Sequence, residues 1–392
     1  MRVVLQLFLF LITDGYISMD GKFIVSQKEL LSLLSSMQPI CNKRTTLDVT
    51  ESILFQATPK ELTLKATDLE ISLQSNMVID SDFTENMSFL ISGKRIFELV
   101  KEIEGEIEFK IEGNQLRLKS GGVDLALNIK DAQEFPPFPE RIENLMQVES
   151  AFLLQLLNKV AFLIPQNNAN SALNGLLLEI NSTSMSMVAT DGHCLAKIQT
   201  DKYTLPEEKK WLLPKRAVLE IKKLLEGNTE APIFFGTCGN QLVCSGKNFN
   251  FFTKLISDPY PQYQPVLDKE GFMPARLAKD PFLRTLKRTS CLLAGQFVST
   301  NFKIAPGLIN VSLHNKEVGK LEESLLLEEF EGATVESRFY SPYLLNGLQV
   351  FPEETITFLI KNSAKPIIFE ATAPDYHLTF LVMPVSMAQT EG

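Results

Sequence analysis

The chain is written as short runs of alternating apolar and polar positions, broken at wide intervals by stretches of helical period. Alternation predicts strands, because successive side chains in a strand point to opposite faces. The runs at 23–25, 53–57, 62–65, 71–79, 106–111, 115–119 and 123–129 have this form. Two helices interrupt them. The first spans 29–37, with Leu30, Leu31, Leu33 and Leu34 on one face. Ser26 and Glu29 form a capping box in front of it, and Pro39 ends it. The second spans 94–103, capped by Ser92 and stopped at Gly105.

The same order returns: a strand at 147–149, a helix at 152–164 ended by Pro165, and strands at 173–180 and 185–188. A helix at 215–225 follows, with Pro214 at its first turn and Gly227 as its stop. It returns again, with helices from Asp280-Pro281 to about Leu293 and from Ser341-Pro342 to about Leu348. Strands at 355–360, 366–370 and 378–383 close that copy.

Local identities fix the period. Ala66-Thr67-Asp68 recurs as Ala189-Thr190-Asp191, 123 residues on. Gly113-Asn114-Gln115-Leu116 recurs as Gly239-Asn240-Gln241-Leu242, Phe135-Pro136 as Tyr260-Pro261, and Lys94-Arg95 as Lys215-Arg216. A third copy places Asn315 124 residues after Asp191, and Met383-Pro384 123 residues after Tyr260-Pro261. A period of domain size means duplicated units. The proline-rich runs at 135–139 and 260–267 mark their boundaries. The expected division is an extension at 1–18 and units at 19–142, 143–268 and 269–392. Each unit holds two helices and several antiparallel strands, an α+β class.

Composition adds little. Apolar residues make up 45% of the 392, enough for buried cores, and the net charge is −9. The five cysteines show no CxxC pair, which points to reduced thiols and a cytoplasmic protein. No metal-ligand spacing is present, and no cofactor is implied. The apolar run 3–12 behind Arg2 is too short to span a bilayer. It lacks a small-x-small cleavage site before Met19. The expectation is a domain beginning at Met19, preceded by an extension from an upstream start.

Charge changes the picture more. Lys94, Arg95 and Lys101 lie on one helix, and Lys215, Arg216, Lys222 and Lys223 on its counterpart. Arg284, Lys287 and Arg288 lie on a third, with Arg276 and Lys279 just before it. Acids collect elsewhere, at 80–85, Glu322-Glu323, Glu328-Glu329 and Glu353-Glu354. One such helix is an ordinary solvated face. The same bias in three copies predicts a shared basic surface that holds phosphate backbone without reading sequence. Catalytic groupings are poor. His193-Cys194 raises the alternative of a cysteine hydrolase, but neighbours on a strand face opposite ways.

The hairpin ATDGHCLA, the run YPQYQPVL and the terminal FLVMPV (380–385) together resemble the bacterial sliding clamp, the beta subunit of the DNA polymerase III holoenzyme. The resemblance spans about Met19 to Met387. It implies a non-enzymatic processivity factor in which two copies close head to tail into a ring around duplex DNA. The helices would line the hole. DNA contacts would come from Arg44, Lys94, Arg95, Asn167 in the loop 166–172, Lys215 and Arg216. Leu292 and Leu293 would pack in the dimer interface. An apolar cleft between the second and third domains would bind extended peptides of the polymerase III catalytic subunit, the clamp loader, other polymerases and repair proteins. The matching cleft positions are Leu173, Thr190, Gly192, His193, Leu195, Pro261, Val266, Leu381, Val382, Met383 and Pro384. Where relatives often carry arginine around this cleft, the chain has Cys194, Pro265 and Ser386. The loop also lacks tyrosines at Ser171 and Ala172. A further alternative is a monomeric clamp paralogue serving specialised DNA transactions.

Overall fold

A computed structural model describes residues 21–139, 142–294 and 299–385. The extension 1–18 and Ser386 lie outside the described residues. The chain divides into two compact units. One holds 21–139 with Asn248–Phe252, and the other holds the remaining described residues.

In the first unit, α1 (Gln27–Cys41) and α2 (Gly93–Lys101) pack on each other. One sheet runs in the order Asp80–Ser81, Lys22–Ser26, Glu106–Glu112, Gln115–Ser120, Val123–Asn128. A second runs Lys130–Asp131, Met87–Ser92, Ser52–Ala57, Glu61–Thr67, Ile71–Val78, with the 249–252 segment beside the last strand. The predicted alternation is visible as burial: Ile107, Phe109 and Ile111 point inward while their neighbours are exposed or half-buried. Phe23 stacks on Phe109, with ring centroids 5.1 Å apart.

The helix ends differ from expectation. Ser26 and Ser92 occupy the N-cap positions, yet neither side chain makes a capping hydrogen bond, so the capping box is not formed. Pro39 sits inside α1 rather than ending it. Ile40 and Cys41, both buried, keep the last turn in place beyond the proline. Gly227 ends the helix Lys215–Glu226 with φ −82°, so no left-handed turn is involved.

In the second unit, α3 (Ser150–Val160) packs on α4 (Lys215–Glu226), and α5 (Lys279–Cys291) on α6 (Ser341–Leu348). The helix predicted to reach Ile164 stops at Val160 and tightens into a 3₁₀ turn, Ala161–Leu163. An eight-stranded antiparallel sheet runs Lys209–Pro214, Gly175–Ile180, Met185–Thr190, Cys194–Thr200, Tyr376–Val382, Ile367–Ala373, Thr355–Ile360, Met273–Ala278. Its middle is a seam between repeats. Cys194 pairs with Val382, Leu195 with Leu381, and so on to Gln199 with His377. A four-stranded sheet, Gly319–Leu326, Leu308–Asn315, Thr300–Ala305, Val335–Phe339, completes the third copy. The helices cover the face that presents Phe380, whose ring lies so close to Gly347 of α6 that a Cβ there would fall 2.0 Å away. That contact accounts for glycine in a helix interior, where it costs about 1 kcal/mol against alanine.

Candidate functional site

The site begins at the turn of the Thr190-Asp191 hairpin. The Asp191 Oδ1 accepts from the backbone N–H of His193 (2.8 Å) and of Cys194 (2.7 Å). Thr190 Oγ1 accepts from Gly192 N–H (3.1 Å) and donates to the Cys194 carbonyl (2.5 Å). Gly192 has φ +94°, a region that glycine enters without strain. The first repeat has the same circuit. Asp68 Oδ1 accepts from Glu70 and Ile71 N–H, and Thr67 Oγ1 accepts from Leu69 N–H and donates to Ile71 O. The third keeps part of it, with Asn315 Oδ1 accepting from Glu317 and Val318 N–H. The sequence period is thus a repeated side-chain-to-backbone turn.

Three segments meet at this hairpin. The first is the loop 166–172. Asn168 N–H donates to Asn174 Oδ1 (2.6 Å), and Asn168 Nδ2 donates to Asp191 O (3.4 Å). The 3₁₀ turn Ser171–Asn174 then sets Leu173 beside Gly192, its Cδ1 3.9 Å from the position a Cβ would take. The second is the seam, where Leu195 and Leu381 are cross-strand partners and Met383 N–H donates to His193 O (2.8 Å). The third is the linker from Leu255 to Phe272. Its Ile256 N–H bonds to Leu212 O (2.9 Å), and its Tyr260 hydroxyl points at Val188 O (3.4 Å). Leu177, Val188, Leu195, Leu212, Tyr263, Ile368 and Leu381 form one apolar cluster, with Tyr260, Leu267 and Met383 at its margin. A groove of about 350 Å³ runs under the linker between Leu177, Leu212 and Tyr260.

Most of the predicted cleft residues are therefore neighbours: Leu173, Thr190, Gly192, His193, Leu195, Leu381, Met383 and the following Pro384. Pro261 stands exposed on the linker. One assignment changes. Val382 is fully buried opposite Cys194, on the other face of the strand from Leu381. Val266 is 38% exposed, and Leu267 takes the inward position beside the cluster. Cys194 is no rim residue. It is 1% exposed, and burial pushes its thiol well above the ordinary range. A hydrolase built on it would lack a thiolate. His193 instead stacks on Tyr343 of α6, centroids 5.9 Å apart. Burial, then the nearby Asp191 charge, pushes the Tyr343 phenol up to about 12. Pro265 is exposed, as a rim position requires.

Of the predicted DNA-side residues, Arg44, Lys94, Arg95 and Asn167 are exposed, and Lys215 and Arg216 half-exposed at the start of α4. Lys94 has Glu98 3.9 Å away, one turn on. The expected segregation of acids from bases fails on α5. Glu323, from a neighbouring strand, takes both Arg288 Nε and Nη2, and the guanidinium holds that carboxyl below the usual range. Arg276 pairs with Glu329 (2.7 Å). Lys279 donates to Phe351 O (2.8 Å). Leu292 and Leu293 are half-buried just past α5, where Asn315 Nδ2 bonds to Leu292 O (3.2 Å).

Glu179, Ile368 and Tyr263 floor the site and hold its linker, and no sequence pattern singles them out individually. Tyr263 lies inside the YPQYQPVL run, which is the one signal that reaches it.

Three descriptions of the DNA polymerase III beta subunit match consecutive stretches: the N-terminal domain at 21–139, the central domain at 147–262 and the C-terminal domain at 266–386. A beta sliding clamp of Pseudomonas aeruginosa is 26% identical over 371 residues, covering 93% of this chain and 100% of the relative. A beta sliding clamp of Chlamydia pneumoniae is 27% identical over 372 residues, covering 93% and 99%. The crystal structure of the DNA polymerase III subunit beta from P. aeruginosa superposes with TM-score 0.85 at 25% identity, covering 93% of this chain and 100% of that one. The DNA polymerase sliding clamp of Bacillus subtilis superposes with TM-score 0.86 at 20% identity, covering 94% and 100%.

Proposed function

The chain belongs to the DNA polymerase III beta subunit family, and from that premise we propose that it is the replicative sliding clamp of its cell: two copies closed head to tail around duplex DNA, tethering the polymerase by its peptide. It is a processivity factor, not an enzyme. The observation that carries the reading is the run of three consecutive family matches along one chain. A ring linked to DNA by topology needs no tight contact. Arg44, Asn167, Lys94, Arg95, Lys215 and Arg216 supply weak phosphate contacts that salt screens. Leu292 and Leu293 pack against the first domain of the second copy. The cleft around Leu173, Leu195, Leu381 and Met383 takes extended peptides of the polymerase, the clamp loader and repair proteins, through apolar anchors and a few backbone bonds. The ring works in the cytoplasm. No helix among the described residues is long and apolar enough to cross a membrane.

Retention on DNA tests the ring. After loading by the clamp loader, the protein should stay on nicked circular duplex and run off linear duplex with free ends. Equal retention on both sinks topological linkage. Leu292→Ala with Leu293→Ala should shift the dimer toward monomer in size measurements. A wild-type monomer at micromolar concentration would favour the paralogue reading.

A further inference from the structure

We propose that Glu179 and Glu370 are positioning residues for the peptide cleft, clamping from two strands of the eight-stranded sheet the linker that carries Pro261 and Val266. This inference rests on the cleft reading above.

The sheet face turned away from the helices changes character along its strands. Leu177, Leu195, Leu381 and Ile368 make its apolar half. Two residues along each strand, the same face carries Glu179, Lys197, Thr379 and Glu370, and Thr379 is the register partner of both Lys197 and Glu370. This band meets the linker rather than solvent. The Glu179 side chain is 13% exposed and the Glu370 side chain 20%. Tyr263 donates its hydroxyl to Glu179 Oε2, and Lys210 Nζ lies 3.3 Å from Oε1. Lys197 Nζ sits over the Tyr263 ring, 5.9 Å from its centroid. On the other side, Lys269 Nζ pairs with Glu370, whose Oε1 is also 3.0 Å from His377 Nε2. Lys361 Nζ donates to Glu270 O (2.8 Å).

The linker is thus fastened twice. Tyr263 ties it to a strand of the second repeat, and Lys269 to a strand of the third. Between the two ties lies the single turn Gln264–Leu267, with Val266 pointing outward. Apolar packing of Leu267 and Tyr260 holds the linker down but does not fix where it lies along the sheet, because such contact is non-directional. Hydrogen bonds, unlike apolar contact, have preferred distances and angles. They set the position of the turn, and with it the wall that a bound peptide meets.

The probe is a labelled clamp-binding peptide of the cognate polymerase III catalytic subunit, titrated against the full chain. Tyr263→Phe removes one hydroxyl and keeps the ring. It should weaken binding about threefold to tenfold, the range of one lost hydrogen bond. Glu179→Gln keeps an acceptor and should retain most of the affinity. The same Tyr263→Phe change in a Val266→Ala background should cost less than about twofold, since the wall it positions is gone. Amide exchange at Val266, whose N–H bonds to Tyr263 O (3.2 Å), should quicken in Tyr263→Phe while the global unfolding midpoint holds. Wild-type affinity in both Tyr263→Phe and Lys269→Met, or an equal loss in the Val266→Ala background, overturns the proposal. A wild-type chain that binds no such peptide overturns the cleft reading itself, a separate failure.

Discussion

The hairpins at Thr67-Asp68 and Thr190-Asp191 are built on one circuit of hydrogen bonds, yet one candidate site surrounds the second and none surrounds the first. The difference lies in the residues 123 positions apart. Where the second repeat has Leu173, the first has Thr50, fully buried, its hydroxyl on Leu47 O and Thr45. Where the second has Leu195, the first has Ser72, which shares a 2.8 Å hydrogen bond with Thr67. Asp68 is buried with Lys43 3.7 Å away, whereas Asp191 is half-exposed. In the first repeat the tip is polar, internally satisfied and sealed. In the second it is apolar. Duplication conserves the backbone device, and function follows from what packs around it.

The largest effect should come from breaking the sealed copy. Asp68→Ala removes the acceptor for two backbone N–H groups, one buried and one part-buried, and one of the two carboxylates beside Lys43. Each unsatisfied buried donor costs about 1–3 kcal/mol, so a loss of about 3 kcal/mol is expected. Asp191→Ala removes the same two bonds at a half-exposed tip, where water substitutes, and should cost about 1 kcal/mol. Denaturant unfolding of both variants reads the contrast. Equal losses would mean that the seal does not matter.

Next comes the apolar tip. Met383→Ala removes an anchor surface worth about 1.5–3 kcal/mol, which corresponds to about a 10- to 150-fold weaker partner peptide. Ser72→Leu, which copies the second repeat into the first, should create no peptide binding and should destabilise the fold by forcing a larger side chain into a buried position. Titration calorimetry checks both. Unchanged affinity in Met383→Ala would place the cleft elsewhere.

Much of this contrast is legible in the sequence. Asp68, Asp191 and Asn315 mark a turn whose chemistry is local, so recurrence in sequence becomes recurrence in bonds. The strand at 355–360 matches its observed bounds for the same reason. Long-range features are not legible in this way. Nothing local says that Cys194–Thr200 pairs with Tyr376–Val382, since register between distant strands is set by packing. The strand Gly319–Leu326 is hidden because its Glu322-Glu323 pair reads as loop, while in the fold Glu323 faces Arg288. Glu179 and Glu370 look like solvent-facing strand residues, and only a linker folded over them gives them partners. Cys194 sits one face of a strand away from the rim that the resemblance implies for it.

The smallest effect sharpens the comparison most. Leu69 and Gly192 hold the same place in the two turns, with φ +73° and +94°. For a residue with a Cβ, that region costs about 1–2 kcal/mol. Gly192→Ala should therefore destabilise by about 1 kcal/mol. The new methyl would meet Leu173 Cδ1 at 3.9 Å, ordinary contact, so conformational strain and not a clash is the cause. Leu69→Gly relieves the same strain in the first repeat. It also frees the unfolded chain, which costs about 0.4–1 kcal/mol, and gives up the partly buried leucine side chain. The two effects nearly cancel, and the net change should stay within about 0.5 kcal/mol of zero. The asymmetry appears as a shifted unfolding midpoint for Gly192→Ala and an unshifted one for Leu69→Gly. A Leu69→Gly variant that gains a full kilocalorie would show that the first repeat carries uncompensated strain at its tip. The seal around Asp68 would then be holding the turn in place, not merely covering it.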